Sequence, residues 1–134
     1  MTKKSAIICI YVIKHKPEEV RSRFNSVTGQ LCVSSITVAE LFFGAENSSK
    51  PDHNRMVVEN FLSRLEILDY DTEAASQYGS IKATLSKQGK IIGENDLHIA
   101  AHARSRGLIV VTNNMKEFSR VPALQVENWV NSAR

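Results

Sequence analysis

Short apolar, β-branched runs alternate with longer stretches of helical spacing along this chain, and few architectures accept that order. Residues 31–35, 66–70, 108–111 and 124–126 read as strands. Residues 54–65 carry Met56, Val57, Phe61, Leu62 and Leu65 at helical spacing. Asp71 or Thr72 caps a helix that runs to about residue 88 and ends at Gly89. Residues 97–105 form a further helix, closed by Gly107. Pro17 opens a helix over 18–26, with acids in its first turn and Arg21 and Arg23 later, the order that suits the helix dipole. Thr37 stands as an N-cap for a helix over 38–45, and residues 50–54 form a polar break around Pro51. Residues 7–13 are apolar and β-branched, so propensity alone makes them a strand. Strands alternating with helices imply an α/β fold with a mostly parallel sheet.

The 134 residues suit one domain, residues 1–134, long enough to bury a core. A net charge of +3 permits a polyanionic partner without requiring one. Cys9 and Cys32 lie in apolar runs, which reads as buried, reduced thiols and not as a disulfide framework or zinc knuckle. No stretch approaches the length of a membrane span. The opening residues lack a small-residue cleavage site, so the expected location is the cytoplasm.

Three carboxylates stand at comparable places in this pattern. Glu40, Asp96 and Glu117 each follow a strand or turn, at or near the start of a helical stretch. In a parallel sheet those points share one edge, where ligands bind. Each acid also has an ordinary explanation. Thr37-Val-Ala-Glu40 is a capping-box pattern, an acid at the position of Asp96 suits the helix dipole, and Glu117 alone is a solvated charge. Gly93-Glu-Asn-Asp96 nevertheless puts two carboxylates and an amide in one turn, more acid than a cap requires. As a set the acids point to a hard divalent cation such as Mg²⁺, held by one or two carboxylates together with water and phosphate oxygens. Asn114, after the fourth strand, is either a turn residue or a group that orients water or phosphate; Thr112 has the same second role open to its hydroxyl. His98 and His102, spaced i,i+4, form a rival zinc pair, although Ile99 stands where a zinc protease has Glu. A packed or surface histidine pair is the alternative.

The segments Ser34-Ser-Ile-Thr-Val-Ala-Glu-Leu-Phe-Phe-Gly-Ala45, Gly93-Glu-Asn-Asp-Leu-His-Ile-Ala-Ala-His-Ala103 and Val110-Val-Thr-Asn-Asn-Met-Lys-Glu-Phe118 resemble PIN-domain toxins of the VapC type. The likeness continues through Val121-Pro-Ala-Leu and Glu127-Asn-Trp129. It implies a three-layer sandwich, a mostly parallel sheet flanked by helices. It implies a Mg²⁺- or Mn²⁺-dependent endoribonuclease acting on RNA, with tRNA the expected substrate. A small VapB antitoxin, operator DNA bound through the antitoxin complex, and a homodimer are implied as partners. By the same resemblance Glu40, Asp96 and Glu117 are metal-site acids, Asn114 stands where many PIN domains have another Asp, and Thr112 is the small hydroxyl residue beside them. One departure matters. The family's first strand ends in Leu-Asp-Thr-Asn, whereas an ungapped match puts Ser5 at that Asp and Ile7 at the Asn. No acid precedes Glu18, so the set is expected to lack a principal ligand. The same register turns residues 7–13 into helix, and it is preferred here over propensity.

Overall fold

The computed structural model describes residues 6–8, 31–112 and 114–128. Five short strands form one all-parallel sheet: β1 (Ala6–Ile8), β2 (Leu31–Ser34), β3 (Glu66–Leu68), β4 (Ile109–Val111) and β5 (Gln125–Glu127). Their order is β3-β2-β1-β4-β5. β1 is central, with Ala6 and Ile7 opposite Leu31 and Cys32 on one side, and Ala6, Ile7 and Ile8 opposite Ile109, Val110 and Val111 on the other. Ile7 and Ile8 are therefore strand, and the helix expected from family register is wrong there; a strand bonded on both sides favours β-branched residues. Residues 9–30, and with them the helix expected over 18–26, lie outside the described residues, as does Ser5.

Among the described residues five helices pack on the sheet: α1 (Ser35–Glu46), α2 (Pro51–Leu62), α3 (Thr72–Lys87), α4 (Glu94–Arg106) and the single turn α5 (Met115–Phe118). The strands' period of two divides the interior into two cores. Leu31, Val33 and Val111 join Leu41, Ala45, Val58, Phe61 and Leu62 under α1 and α2. Cys32 and Val110 join Ile81, Leu85, Leu97, Ile99 and Phe118 under α3, α4 and α5. The result is helices, sheet, helices, as expected. Ala100, Ala101 and Ala103, all buried, let α4 sit close to its neighbours. Cys32 is buried, and burial pushes its thiol up to about 11, which keeps it protonated at neutral pH.

Several helix ends differ from the sequence reading. The N-cap of α1 is Ser34, whose Oγ accepts from the Ile36 N–H at 3.1 Å. Thr37 is buried inside the helix instead. Pro51 occupies the first turn of α2, where its missing N–H costs nothing, so the helix starts three residues before Asn54. α4 likewise begins at Glu94, three residues before Leu97, and closes at Gly107 in a left-handed conformation (φ 67°). Asp71 caps α3 through a 3.0 Å bond from the Ala74 N–H, as expected.

Candidate functional site

The strand order reverses at β1, between β2 and β4, and such a reversal opens a crevice at the carboxyl ends of the strands. Three connections deliver side chains to that edge. β2 runs into α1 with no loop, because Ser34 is both its last residue and the helix cap. The loop after Gly89 feeds the N-terminus of α4. β4 leads through Thr112 to α5, which carries Glu117.

Asp96, in the first turn of α4, is the centre of the group. Burial, a hydrogen bond shared with the Glu117 carboxyl, and the charges of Glu117 and Glu40 push its acid up to about 6. The Asn114 amide opposes this by donating from Nδ2 to Asp96 Oδ2 at 3.3 Å. Glu40 acts on Asp96 through its charge; its own Oε2 accepts from Asn95 Nδ2 at 2.7 Å. With Ser34 as the cap, the capping-box reading of Glu40 falls, and its carboxylate faces α4 instead. Thr112 is 2% exposed, and its Oγ1 accepts from the Asn114 N–H at 2.9 Å. It shapes the turn that presents Asn114 rather than offering its hydroxyl outward.

The first turn of α4 is tied to three elements by three consecutive residues. Asn95 holds Glu40 on α1, and Asp96 meets Asn114 and Glu117 beyond β4. Glu94 accepts from the Tyr78 hydroxyl and from Lys82 Nζ (3.4 Å), both on α3. The mixed chemistry of Gly93-Glu-Asn-Asp96 was visible in sequence, but the partner of each side chain was not.

The histidine pair serves packing. His98 Nδ1 lies 2.7 Å from the Tyr70 hydroxyl, and its ring stacks on Tyr78 at 4.3 Å. His102 is wholly buried, with Nδ1 2.7 Å from Ser34 Oγ. It thereby joins α4 to the cap of α1. Burial, with the nearby Arg106 charge, holds its pKa below the ordinary histidine value. Among the described residues no three His, Cys, Asp or Glu side chains sit close enough to hold one metal ion between them. The zinc reading thus lacks a third ligand there. The acid group fits a cation that keeps most of its water: Asp96 and Glu117 are in contact, and Asp96 carries a repulsion that a cation or a proton relieves.

Beside Glu40 and Asn95 runs an open groove of about 920 Å³ between α1 and α2. Ile36, Phe43, Val57 and Val58 line it, and Phe43 is 68% exposed. No helix among the described residues is long and apolar enough to cross a membrane.

The PIN domain family pattern matches residues 5–124. The chain belongs to the PIN-domain family, in its VapC branch. It is 65% identical over 123 residues to Ribonuclease VapC2 of Haemophilus influenzae, covering 92% of this chain and 93% of that protein. It is 54% identical over 121 residues to the tRNA(fMet)-specific endonuclease VapC of Salmonella typhimurium, covering 90% and 92%. Among solved structures, DNA-bound VapBC from Salmonella typhimurium superposes with a TM-score of 0.90 at 50% identity, covering 95% of this chain and 99% of that one. VapBC2 from Rickettsia felis, bound to a promoter DNA fragment, gives 0.87 at 37% identity, covering 93% and 98%. PIN-domain nucleases generally depend on divalent metal ions.

Proposed function

We propose that this PIN domain, spanning residues 1–134, is a VapC-type toxin: an endoribonuclease that cuts RNA, with a tRNA as substrate, and is neutralised by a VapB antitoxin. The observation that carries the reading is the gathering of Asp96, Glu117 and Glu40 at the carboxyl edge of the sheet, with the acid of Asp96 raised by burial, by its hydrogen bond with Glu117 and by the charges of both glutamates. The name of the Salmonella relative supports tRNA as the substrate class. The cofactor proposed is Mg²⁺ or Mn²⁺, which Asp96, Glu117 and Glu40 would hold. When bound, such an ion polarises a phosphodiester, lowers the pKa of water and offsets charge on the leaving oxygen. The chain's own residues do the rest. Asp96 and Glu117 hold negative charge where a cation is needed, and Asn114, fixed by Thr112, keeps Asp96 oriented. Glu40 and Asn95 are part of the groove's lining, so an antitoxin segment seated there also covers Glu40. The neighbouring VapBC structures with DNA support operator binding through the toxin–antitoxin complex. The cytoplasm is the proposed location and a homodimer the proposed assembly.

A second reading is a non-catalytic module that keeps antitoxin binding. It is favoured by the absence of any acid before Glu18 and by the lack of a compact three-ligand group among the described residues. One experiment separates the two: cleavage of tRNA in Mg²⁺ or Mn²⁺ by the natural chain, by Asp96→Asn and by Ser5→Asp. Metal-dependent cleavage that Asp96→Asn abolishes supports the nuclease. Tight antitoxin binding without turnover supports the module. Equal, robust cleavage by the natural chain and Ser5→Asp overturns the idea that an acid at position 5 matters.

A further inference from the structure

Glu40 is a long, half-buried acid whose charge acts on that of Asp96, and this repulsion alone would swing it outward. It is held by Asn95, whose Nδ2 donates to Glu40 Oε2 at 2.7 Å across 55 residues of chain. We infer that Asn95 is the positioning residue of the metal site: it fixes the orientation of Glu40 relative to Asp96, and it does so with a neutral donor. The inference rests on the metal-centre reading above.

Three features carry it. First, Asn95 is next to Asp96 in the first turn of α4, so any group it holds is registered to Asp96 by the helix itself. Second, that turn is anchored from the other side. Glu94 accepts from Tyr78 and Lys82, and Lys82 Nζ also donates to the Tyr78 hydroxyl at 3.0 Å. Arg120 Nη1 donates to the Ile91 carbonyl at 3.0 Å, pinning the loop that enters α4. Asn95 therefore pulls on Glu40 from a fixed base. Third, the chemistry of an amide suits the task. A lysine or arginine here would also hold Glu40, but its positive charge would compete with a cation for the same carboxylates. An amide donates one hydrogen bond and leaves the negative charge in place. The Lys82 charge is instead spent on Glu94, on the far side of the turn.

The test uses the full chain and reads Mn²⁺ binding directly, by titration calorimetry, beside RNA cleavage as a function of Mn²⁺ concentration. Asn95→Ala is expected to weaken Mn²⁺ binding about tenfold and raise the Mn²⁺ needed for half-maximal cleavage by the same factor. The unfolding temperature without metal should hold within a degree or two, because Asn95 is exposed. Asn95→Gln, which keeps a donor on a longer arm, should recover part of the loss. In a Glu40→Gln background, Asn95→Ala should cost little more, since the two residues act as one unit. Wild-type Mn²⁺ affinity in Asn95→Ala, or equal losses with and without Glu40, would overturn the inference alone. Failure of the natural chain to bind Mn²⁺ at all would overturn it together with the metal-centre reading.

Discussion

The two faces of the sheet are finished to different degrees. Under α3 and α4 the core is sealed, and its rim is closed by side chains that satisfy one another. Tyr70 and Tyr78 flank His98, and Tyr78 and Lys82 meet Glu94. Under α1 and α2 the interior is equally apolar, but the outer surfaces leave Phe43 and Val57 in solvent along a groove, and Met56 is exposed as well. Exposed aromatic surface that borders polar groups marks a place built to be covered. The acids lie where the faces meet: Asp96 comes from the sealed side and Glu40 from the open one. The sealed half thus presents the central acid, while the open half presents the acid that borders the groove.

Five substitutions, two of them a matched pair, would break or sharpen that contrast. The largest effect is expected at the seam. Asp96→Asn should lower tRNA cleavage by a factor of about 100 or more, in line with loss of a metal-bound group. It should also stabilise the apo protein. The folded acid of Asp96 titrates near 6, above its ordinary value of 3.8, so the stability it contributes below 3.8 is lost as pH rises through 6. At pH 7.5 the variant should therefore be more stable by about 1 kcal/mol, after allowance for solvent screening. The gap should close toward pH 4, and added Mn²⁺ should narrow it by stabilising only the natural chain. Urea melts at both pH values check this; no stabilisation at pH 7.5 would contradict it.

Next comes a matched pair, one residue from each face. Leu85→Ala, in the sealed core, should cost about 2–5 kcal/mol of folding stability. Phe43→Ala should cost about 0.5 kcal/mol or less and yet weaken antitoxin binding tenfold or more. If the two variants melted alike, the contrast between faces would be lost. A smaller effect concerns His102. Burial keeps it neutral, with a folded pKa below the ordinary 6.5, so its contribution is present above 6.5 and is lost as pH falls through the folded value. Replacing it with Gln should flatten the decline of stability below pH 6.5, as read from thermal melts across pH 5 to 7. The smallest change is expected for Glu94→Gln, whose urea melt should overlay that of the natural chain, since Glu94 and Lys82 are solvent-exposed and their pair is screened.

Alternation of strand and helix was legible in the sequence because the apolar periods differ, and it led to the α/β fold and its parallel sheet. Local ambiguity was resolved by tertiary contacts. Ser34, Ser35 and Thr37 all offer hydroxyls before one helix, and the Thr37–Glu40 spacing made the best local cap. Ser34 prevails because it also reaches His102, 68 residues away. Ile7 and Ile8 followed their β-branched chemistry once both neighbouring strands were present. Of the candidate site, the acids could be grouped by topology, but their pairing could not be read. Asp96 and Glu117 touch across β4, and Asn95 finds Glu40 on a different helix. Such partnerships exist only after the sheet has brought the helices together.

Because Ser34 ends β2 and caps α1 without an intervening loop, the stretch from Ser34 to Glu40 behaves as a ruler with no slack. Each residue added or removed between them would turn the Glu40 side chain by about 100° around the helix axis. Loops elsewhere can lengthen at small cost. This span can change its side chains but not its count: the six-residue interval sets the angle at which Glu40 meets α4.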